Sequence, residues 1–300
     1  MGSISQAITE MGVDLYNELN KNAANKNIFI SPMSISTGLV MVLLGARGNT
    51  ATQMQTVTSL FLPCLKPSLS QCDLVGGIHT EFQTLLSQLK KLNKSYVLSL
   101  ANSLFAQKGY NFHQNESKSV QMMYQKDRFK IAHIQEMNAQ ILMIPYAGKS
   151  LSMIILLPDD ITGLEQIERA MTYEKLICWT SLESMRDREV EVYLPRFKLE
   201  DTFELNLPLQ EMGMIDVFEE SKADLSGMAP SRKLFLSKVV HKAYVEVNEE
   251  GTLAAAATGS VVVNRSHLSG GLFMADHPFL FFIQHNPTNT ILFLGKLCSP

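Results

Sequence analysis

An excess of charge of one sign and long apolar runs are lacking in this sequence, and we expect no leader segment. Among its 300 residues, 26 basic and 29 acidic side chains are interspersed and leave a net charge of −3. We therefore expect no nucleic-acid partner. No stretch reaches the roughly 20 apolar residues that span a bilayer, so we expect no membrane partner. The first residues show no basic segment followed by a continuous apolar core, which argues against a cleavable signal peptide.

Paired cysteines and common catalytic motifs are lacking too. Cys64, Cys72, Cys178 and Cys298 form no CxxC pair and have no histidine at metal-ligand spacing. This pattern is typical of reduced structural thiols in a cytoplasmic protein. No GxSxG or HExxH motif occurs in the chain. We therefore expect no enzyme activity, no cofactor and no metal, and a cytoplasmic location with unconventional secretion as the alternative.

Helical signals dominate the first part of the chain. Apolar residues within 4–19 recur at helical spacing. Ser31 followed by Pro32 is typical of an N-cap and a first helical position, and it predicts a mostly buried second helix. Residues 50–53 have the capping-box pattern and predict a third helix. A further single helix is predicted over 162–179, and another over 79–92.

Strand signals dominate after about residue 120. Apolar runs on either side of the turn residues 146–149 predict a hairpin, and alternation of apolar and polar residues predicts half-buried strands. There are no internal repeats and no linker, so we expect one mixed α/β (α+β) domain over residues 1–300. The strand predictions cover residues 96–106, 140–145, 151–157, 190–194, 234–248, 279–283 and 291–294.

The segment 249–271 resembles neither core nor an ordinary loop. It runs for about 20 residues without a cluster of turn-forming residues, and connections of that length are usually functional or disordered. If it were extended, one face would carry only small side chains, so that face could enter a packed sheet. The alternative is a flexible surface loop with a short helical turn. The small side chains of that face are those of Thr252, Ala254, Ala256, Thr258 and Ser260.

Four segments resemble the serpin family, and they occur in the family's order. Residues 27–36 resemble the start of the family's buried second helix, and residues 237–252 resemble the central strand that leads into its reactive-loop hinge. Residues 276–283 and 291–300 resemble its C-terminal strands. The chain is most similar to serpins of the ovalbumin type. The resemblance implies a serpin fold with N-terminal helices, large β-sheets and an exposed reactive-centre loop over 249–271.

The resemblance also implies a bait bond for a serine protease. By the family's usual loop length, the bond to be cut lies fourteen places after the hinge glycine, which is between Arg265 and Ser266. An arginine on an extended backbone complements the buried aspartate in the specificity pocket of a trypsin-like serine protease, the expected partner of this chain. The hinge implied by the family comprises Glu249, Glu250, Gly251, Thr252, Ala254, Ala255, Ala256, Ala257 and Thr258.

The middle of the chain departs from the family. At residues 114–115 the sequence passes directly to a stretch that resembles a much later family segment, so roughly eighty residues are expected to be missing. They would include part of the large sheet and its covering helix. The resemblance implies a monomeric serine protease inhibitor that forms an acyl-enzyme at Arg265 and traps the protease by inserting its cut loop into the large sheet. Because of the missing segment we expect this form to inhibit poorly or not at all, and the alternative is a non-inhibitory or inactive shortened serpin that acts as a binding protein or a simple protease substrate. His241 is interpreted as a hydrogen-bonded core histidine.

Overall fold

Two β-sheets of unequal size organise the computed structural model. It describes residues 4–23, 25–60, 84, 87, 120–181, 184–229, 234–248 and 271–299. The strands are β1 (Ile28–Ile30), β2 (Met122–Ile134), β3 (Ala139–Pro145), β4 (Leu151–Pro158), β5 (Arg186–Pro195), β6 (Phe197–Glu204), β7 (Val240–Val247), β8 (Gly271–Met274), β9 (Phe279–His285) and β10 (Thr290–Leu297). Eight form one sheet, in the order β1-β10-β9-β4-β3-β2-β5-β8, and β6 pairs with β7 in the second.

Helices cover parts of these sheets, so the predicted mixed α/β architecture is confirmed. In the described residues, short 3-10 turns at Gln135–Met137 and Asp216–Phe218 add to the α-helices. The α-helices are α1 (Ile4–Asn20), α2 (Pro32–Gly45), α3 (Gly48–Val57), α4 (Leu164–Ala170), α5 (Tyr173–Thr180) and α6 (Asn206–Glu211).

The centre of the large sheet is buried on both faces. Every residue of β4, β9 and β10 is buried, as expected of strands that read as nearly continuous apolar runs. Phe29 stacks on Phe293 with 5.2 Å between ring centroids, and Phe197 meets Phe281 edge-on at 5.3 Å. A Cβ atom at Gly295 would lie 2.4 Å from the Phe281 ring, so the aromatic packing requires a glycine there.

Two local predictions are confirmed in detail. The hairpin of β3 and β4 closes through a 2.9 Å bond from Tyr146 N–H to the carbonyl oxygen of Leu151. Its turn places Gly148 at φ 79° and Lys149 at φ 55°, the left-handed region that glycine favours. The Ser31 side chain caps α2 by accepting a hydrogen bond from the N–H of Ser34.

Other boundaries were wrong. Helix α3 begins at Gly48, so Thr50 lies inside it, and Thr50 Oγ1 accepts from Asp224 N–H instead of capping the helix. The single helix predicted over 162–179 is two helices, because Thr172 stands between them and caps α5 by accepting from Lys175 N–H. The strand predicted over 234–248 is regular only within β7.

Candidate reactive-loop junction

The predicted bait bond and hinge lie outside the residues that the structure describes. This applies to Arg265, Ser266 and the hinge residues within 249–258, and also to the predicted helix 79–92 apart from residues 84 and 87 and to strand 96–106. The described residues do define both ends of the segment. Strand β7 leads into it and β8 follows it, so these two strands fix where the segment begins and ends.

Strand β7 is joined to the core by a buried histidine. Nε2 of His241 accepts a 2.9 Å hydrogen bond from Ser31 N–H at the start of α2. The Ser31 hydroxyl donates to the carbonyl oxygen of Leu292 in β10 at 2.9 Å. Burial lowers the pKa of His241 to about 4, so at neutral pH the ring is uncharged and Nε2 can accept. The interpretation of His241 as a core histidine is confirmed.

The partner strand β6 carries a second acceptor, the half-buried side chain of Asp201. Asp201 lies opposite Ala243 of β7, on the face turned towards the large sheet. Burial raises the pKa of Asp201 to about 6, and a hydrogen bond from Phe29 N–H opposes that rise. Its Oδ2 is buried and finds no hydrogen-bond partner among the described residues. Two side chains of the small sheet therefore accept from the N–H groups of Phe29, in β1, and Ser31, directly after it.

The outward face of the small sheet is polar and exposed. Lys242 forms a 2.5 Å ion pair with Glu200 across the two strands. The Tyr244 hydroxyl donates to Glu246 at 2.6 Å, and Lys198 lies 5.0 Å from the centroid of the tyrosine ring. Exposed ion pairs of this kind contribute little stability. The strand that leads into the predicted loop is thus held from its inner face.

The far end of the segment is fixed on the other sheet. Strand β8 pairs in parallel with β5, with Gly271 opposite Val190, and among the described residues it is the last strand of the large sheet. Ala275 N–H extends the contact with a 2.9 Å bond to the carbonyl oxygen of Tyr193. Residues 249–270 therefore connect β7 of the small sheet to β8 of the large sheet.

Comparison with known proteins identifies this arrangement. The family described as Serpin (serine protease inhibitor) matches residues 6–115 and 110–300. The chain is a serpin. It is 38% identical to leukocyte elastase inhibitor of Sus scrofa over 391 aligned positions and 37% identical to serpin B10 of Homo sapiens over 397, each alignment covering all of both chains. The crystal structure of uncleaved ovalbumin superposes with a TM-score of 0.80 at 31% identity, again over all of both chains. The serpin is of the ovalbumin type.

The serpin is shorter than these relatives. Because 391 positions are aligned with a chain of 300 residues, at least 91 of them have no counterpart here. The two stretches matched by the family overlap only at residues 110–115. A serpin fold that lacks part of the family's loop-accepting sheet, to which the resemblance assigns β7, is consistent with this difference in length.

The family description and the name of the leukocyte elastase inhibitor denote inhibitors of proteases rather than catalysts. Among the residues that the structure describes, no helix has the length and apolar character needed to cross a membrane. Within the same residues, no group of three or more His, Cys, Asp or Glu side chains is arranged to hold a metal ion.

Sequence reasoning missed the role of Asp201. The alternation of Phe197, Leu199, Asp201 and Phe203 on one face of β6 contains the signal, because it places a lone carboxylate among apolar inward positions. The backbone donor it meets comes from a strand about 170 residues away in sequence, which no local pattern reveals.

Proposed function

We propose that this serpin offers Arg265–Ser266 to a trypsin-like serine protease as a bait bond. One observation carries the proposal: β7 ends at Val247, directly before the hinge, and in the described residues it pairs on one side only, with β6. The hinge that follows has small side chains at alternate positions. An extended hinge turning back on β7 would form the next strand of that sheet, the mode of strand addition known for serpin loops.

The chemistry at the bait bond belongs to the protease. Its serine attacks the carbonyl carbon of Arg265, the peptide bond to Ser266 breaks, and the new amino group of Ser266 leaves with a proton from the protease histidine. The acyl-enzyme is then either hydrolysed by water or trapped by insertion of the loop. The guanidinium of Arg265 selects a pocket with a buried carboxylate, whereas an elastase pocket is small and apolar.

Cleavage without trapping is the outcome that we expect for this chain. An inserted strand gains most when it pairs with a strand on each side, and the described residues supply only β7. At least 91 aligned positions of the relatives are absent, and we place the gap at residues 114–115. We therefore propose that the chain keeps the cleavable Arg265–Ser266 bond (an intact bait) but that its loop inserts weakly after cleavage (a weakened trap). It then acts mainly as a protease substrate.

Incubation with trypsin tests both parts of the proposal. The full chain is mixed with equimolar or catalytic trypsin, and products are resolved by denaturing gel and intact mass. We expect early cleavage between Arg265 and Ser266 and little covalent complex. A predominant complex that survives denaturant would contradict the weakened trap, and an Arg265–Ser266 bond that survives while other sites are cut would contradict the bait.

Two variants supply matched controls. Arg265→Ala should abolish early cleavage at this bond by trypsin, because the cation for the pocket is gone, and should make the bond a substrate for elastase. Ala256→Glu places a charged side chain on the hinge face that would enter the sheet. If trapping contributes little, Ala256→Glu and the unmodified chain give the same ratio of complex to cleaved product.

We also propose a cytoplasmic location. Residues 264–266 form an Asn-Arg-Ser glycosylation sequon that overlaps the bait bond. On the secretory route a glycan at Asn264 would obstruct a protease. The Arg265–Ser266 bond is therefore most accessible in a compartment where the sequon stays unmodified.

A further inference from the structure

Strand β7 has one side that pairs with β6 and another side with no strand beside it in the described part of the chain. We call this second side, along Val240–Val247, the β7 edge. A strand edge presents its N–H and C=O groups in a row and is a template for pairing with another strand. The side chains of β7 determine which strand fits.

Those side chains divide cleanly between two faces. His241 and Ala243 are buried against the large sheet, whereas Lys242, Tyr244 and Glu246 lie on the outward face. Tyr244 is 47% exposed, unusually open for an aromatic residue in the middle of a strand. A lone lysine on an edge strand usually opposes pairing. Here Lys242 stands two residues before Tyr244, and Glu246 stands two residues after it, so the strand carries one charge of each sign at equal distances from the tyrosine.

This spacing makes β7 complementary to itself. If a second, antiparallel β7 is related to the first by a two-fold axis at Tyr244, Lys242 of each copy lies opposite Glu246 of the other. The two tyrosines face each other across the axis, and on the inner face Ala243 meets Val245. Opposite charges directly across a strand pair stabilise it, and like charges destabilise it.

The charge pattern also disfavours the other two-fold registers. Axes at Ala243 or Val245 would place Lys242 opposite Tyr244 or Asn248 and would form no lysine–glutamate pair. An axis at Lys242 would place two lysines opposite each other, and an axis at Glu246 would place two glutamates opposite each other. A shift by an odd number of residues would turn apolar side chains outward. Lys242 already contacts Glu200 of its own sheet at 2.5 Å, and its ammonium group has three donors, enough for a second carboxylate.

We propose that two copies of this chain associate through their β7 edges as an antiparallel, two-fold symmetric dimer. The small sheets then join into one four-stranded sheet with the order β6-β7-β7-β6. Such an interface uses the same surface on both partners, as closed dimers do. The inference departs from the monomer expected from the sequence. The dimer and the proposed function use the same surface, because the hinge would also pair with the β7 edge. Dimerisation and loop insertion therefore exclude each other.

Reciprocal charge reversal tests the dimer. Lys242→Glu alone puts glutamates opposite each other in both pairs, and Glu246→Lys alone puts lysines opposite each other. By sedimentation equilibrium on the full chain, each variant should dimerise at least about tenfold more weakly than the unmodified protein. An equimolar mixture of the two variants restores opposite charges in both pairs, so the mixture should form a heterodimer of nearly unmodified affinity.

A control and two outcomes make the test decisive. Lys126→Glu reverses another exposed lysine, one paired with Glu189 on the large sheet, and should leave dimerisation unchanged. An unmodified chain that stays monomeric at high concentration overturns the proposal, whether the edge is open or covered by the chain's own residues. Association that is equal in all variants and in the mixture overturns it as well.

Cross-linking provides the measurement if a charge variant does not fold. Tyr244→Cys would bring residue 244 opposite itself at the axis, where Cβ atoms of facing residues lie about 4.5–5.5 Å apart, close to disulfide reach. Glu246→Cys would face Lys242 instead. Oxidation should therefore give a covalent dimer with the first variant, above the background of the native cysteines, and not with the second. Equal cross-linking by both would contradict the two-fold register.

Discussion

At the scale of single residues, two titratable side chains join the small sheet to the large one. His241 accepts from Ser31 N–H at 2.9 Å, and Asp201 accepts from Phe29 N–H. His241 is buried and Asp201 is half-buried. Burial shifts their pKa values in opposite directions, because it disfavours the charged form of each. The pKa of His241 falls to about 4, and the pKa of Asp201 rises to about 6.

Asp201→Asn is expected to stabilise the protein at neutral pH. Because the folded pKa of Asp201 lies above its unfolded value of 3.8, the stability that its protonated form contributes is complete below pH 3.8 and is lost as pH rises through about 6. An uncharged amide avoids that loss and can still accept from Phe29 N–H. We expect a gain of about 1–2 kcal/mol at pH 7.5, reduced because part of the carboxylate reaches water, and a much smaller gain near pH 4.

Urea unfolding at several pH values checks this expectation, with Glu200→Gln as the matched control. Glu200 is the next residue on the outward face, and its hydrogen bond and ion pair with Lys242 lower its pKa. Removing that charge should lower stability at pH 7.5, the opposite sign to Asp201→Asn. The free energy of unfolding of each variant is compared with that of the unmodified protein at the same pH. The contribution of His241 titration is common to both and cancels. An advantage for Asp201→Asn that grows towards acid pH would contradict the argument.

At the scale of elements, a buried ion pair joins two helices to the centre of the large sheet. Lys296 of β10 is fully buried, and its Nζ lies 3.1 Å from Glu168 of α4. The same Nζ donates to Asn20 Oδ1 at 2.5 Å and to the carbonyl oxygen of Ala23 at 3.0 Å, and Tyr16 of α1 donates to Glu168 at 2.5 Å. Every member of this network is hydrogen-bonded, which buried charges require.

Lys296→Met should therefore destabilise the fold by about 3–5 kcal/mol, because Glu168 would remain as a buried charge without its cation. The double variant Lys296→Met/Glu168→Gln removes both charges and should lose less than the sum of the two single variants. Lys126→Met, which breaks an exposed pair with Glu189, should change stability by less than about 1 kcal/mol. Urea unfolding at pH 7.5 measures the unmodified protein, Lys296→Met, Glu168→Gln, the double variant and Lys126→Met. A loss for Lys296→Met no larger than that for Lys126→Met would contradict the role of burial.

Local patterns predicted elements well where packing agreed with them. The cap at Ser31 and the hairpin of β3 and β4 follow from signals within a few residues. Boundaries failed where a distant contact intervened. Thr50 has a good capping sequence, but its hydroxyl accepts from Asp224 N–H, 174 residues further along the chain. Local propensity cannot anticipate such a partner.

At the scale of the whole molecule, the central feature is a connection between two sheets. Residues 249–270 run from β7 in the small sheet to β8 in the large sheet. Relatives with 391 aligned positions contain at least 91 that this chain lacks. A second strand ladder would be needed for an inserted loop to gain its full stabilisation. The described residues offer one ladder, through β7.

Cutting the bait bond should therefore change overall stability little. We expect the thermal midpoint of the chain cleaved after Arg265 to lie within about 5 °C of the intact chain, because a strand paired on one side gains only a small net free energy. Differential scanning calorimetry of intact and cleaved protein measures the difference, with Arg265→Ala treated with the same protease as the control for cleavage elsewhere. A rise in the thermal midpoint of more than about 20 °C would show that the inserted loop pairs with a strand on each side, and would contradict the weakened trap.

The sequence by itself determined the helix cap at Ser31, the alternation of the half-buried strands and membership of the serpin family, because these depend on residues close together in the chain or on whole motifs. Its arginine bait and small-residue hinge stay predictions. Only the tertiary structure decided that His241 meets Ser31, that Lys296 meets Glu168 and that β7 has β6 on one side alone in the described residues. Each of these joins segments more than a hundred residues apart or depends on what lies beside a strand, and neither property is carried by local periodicity.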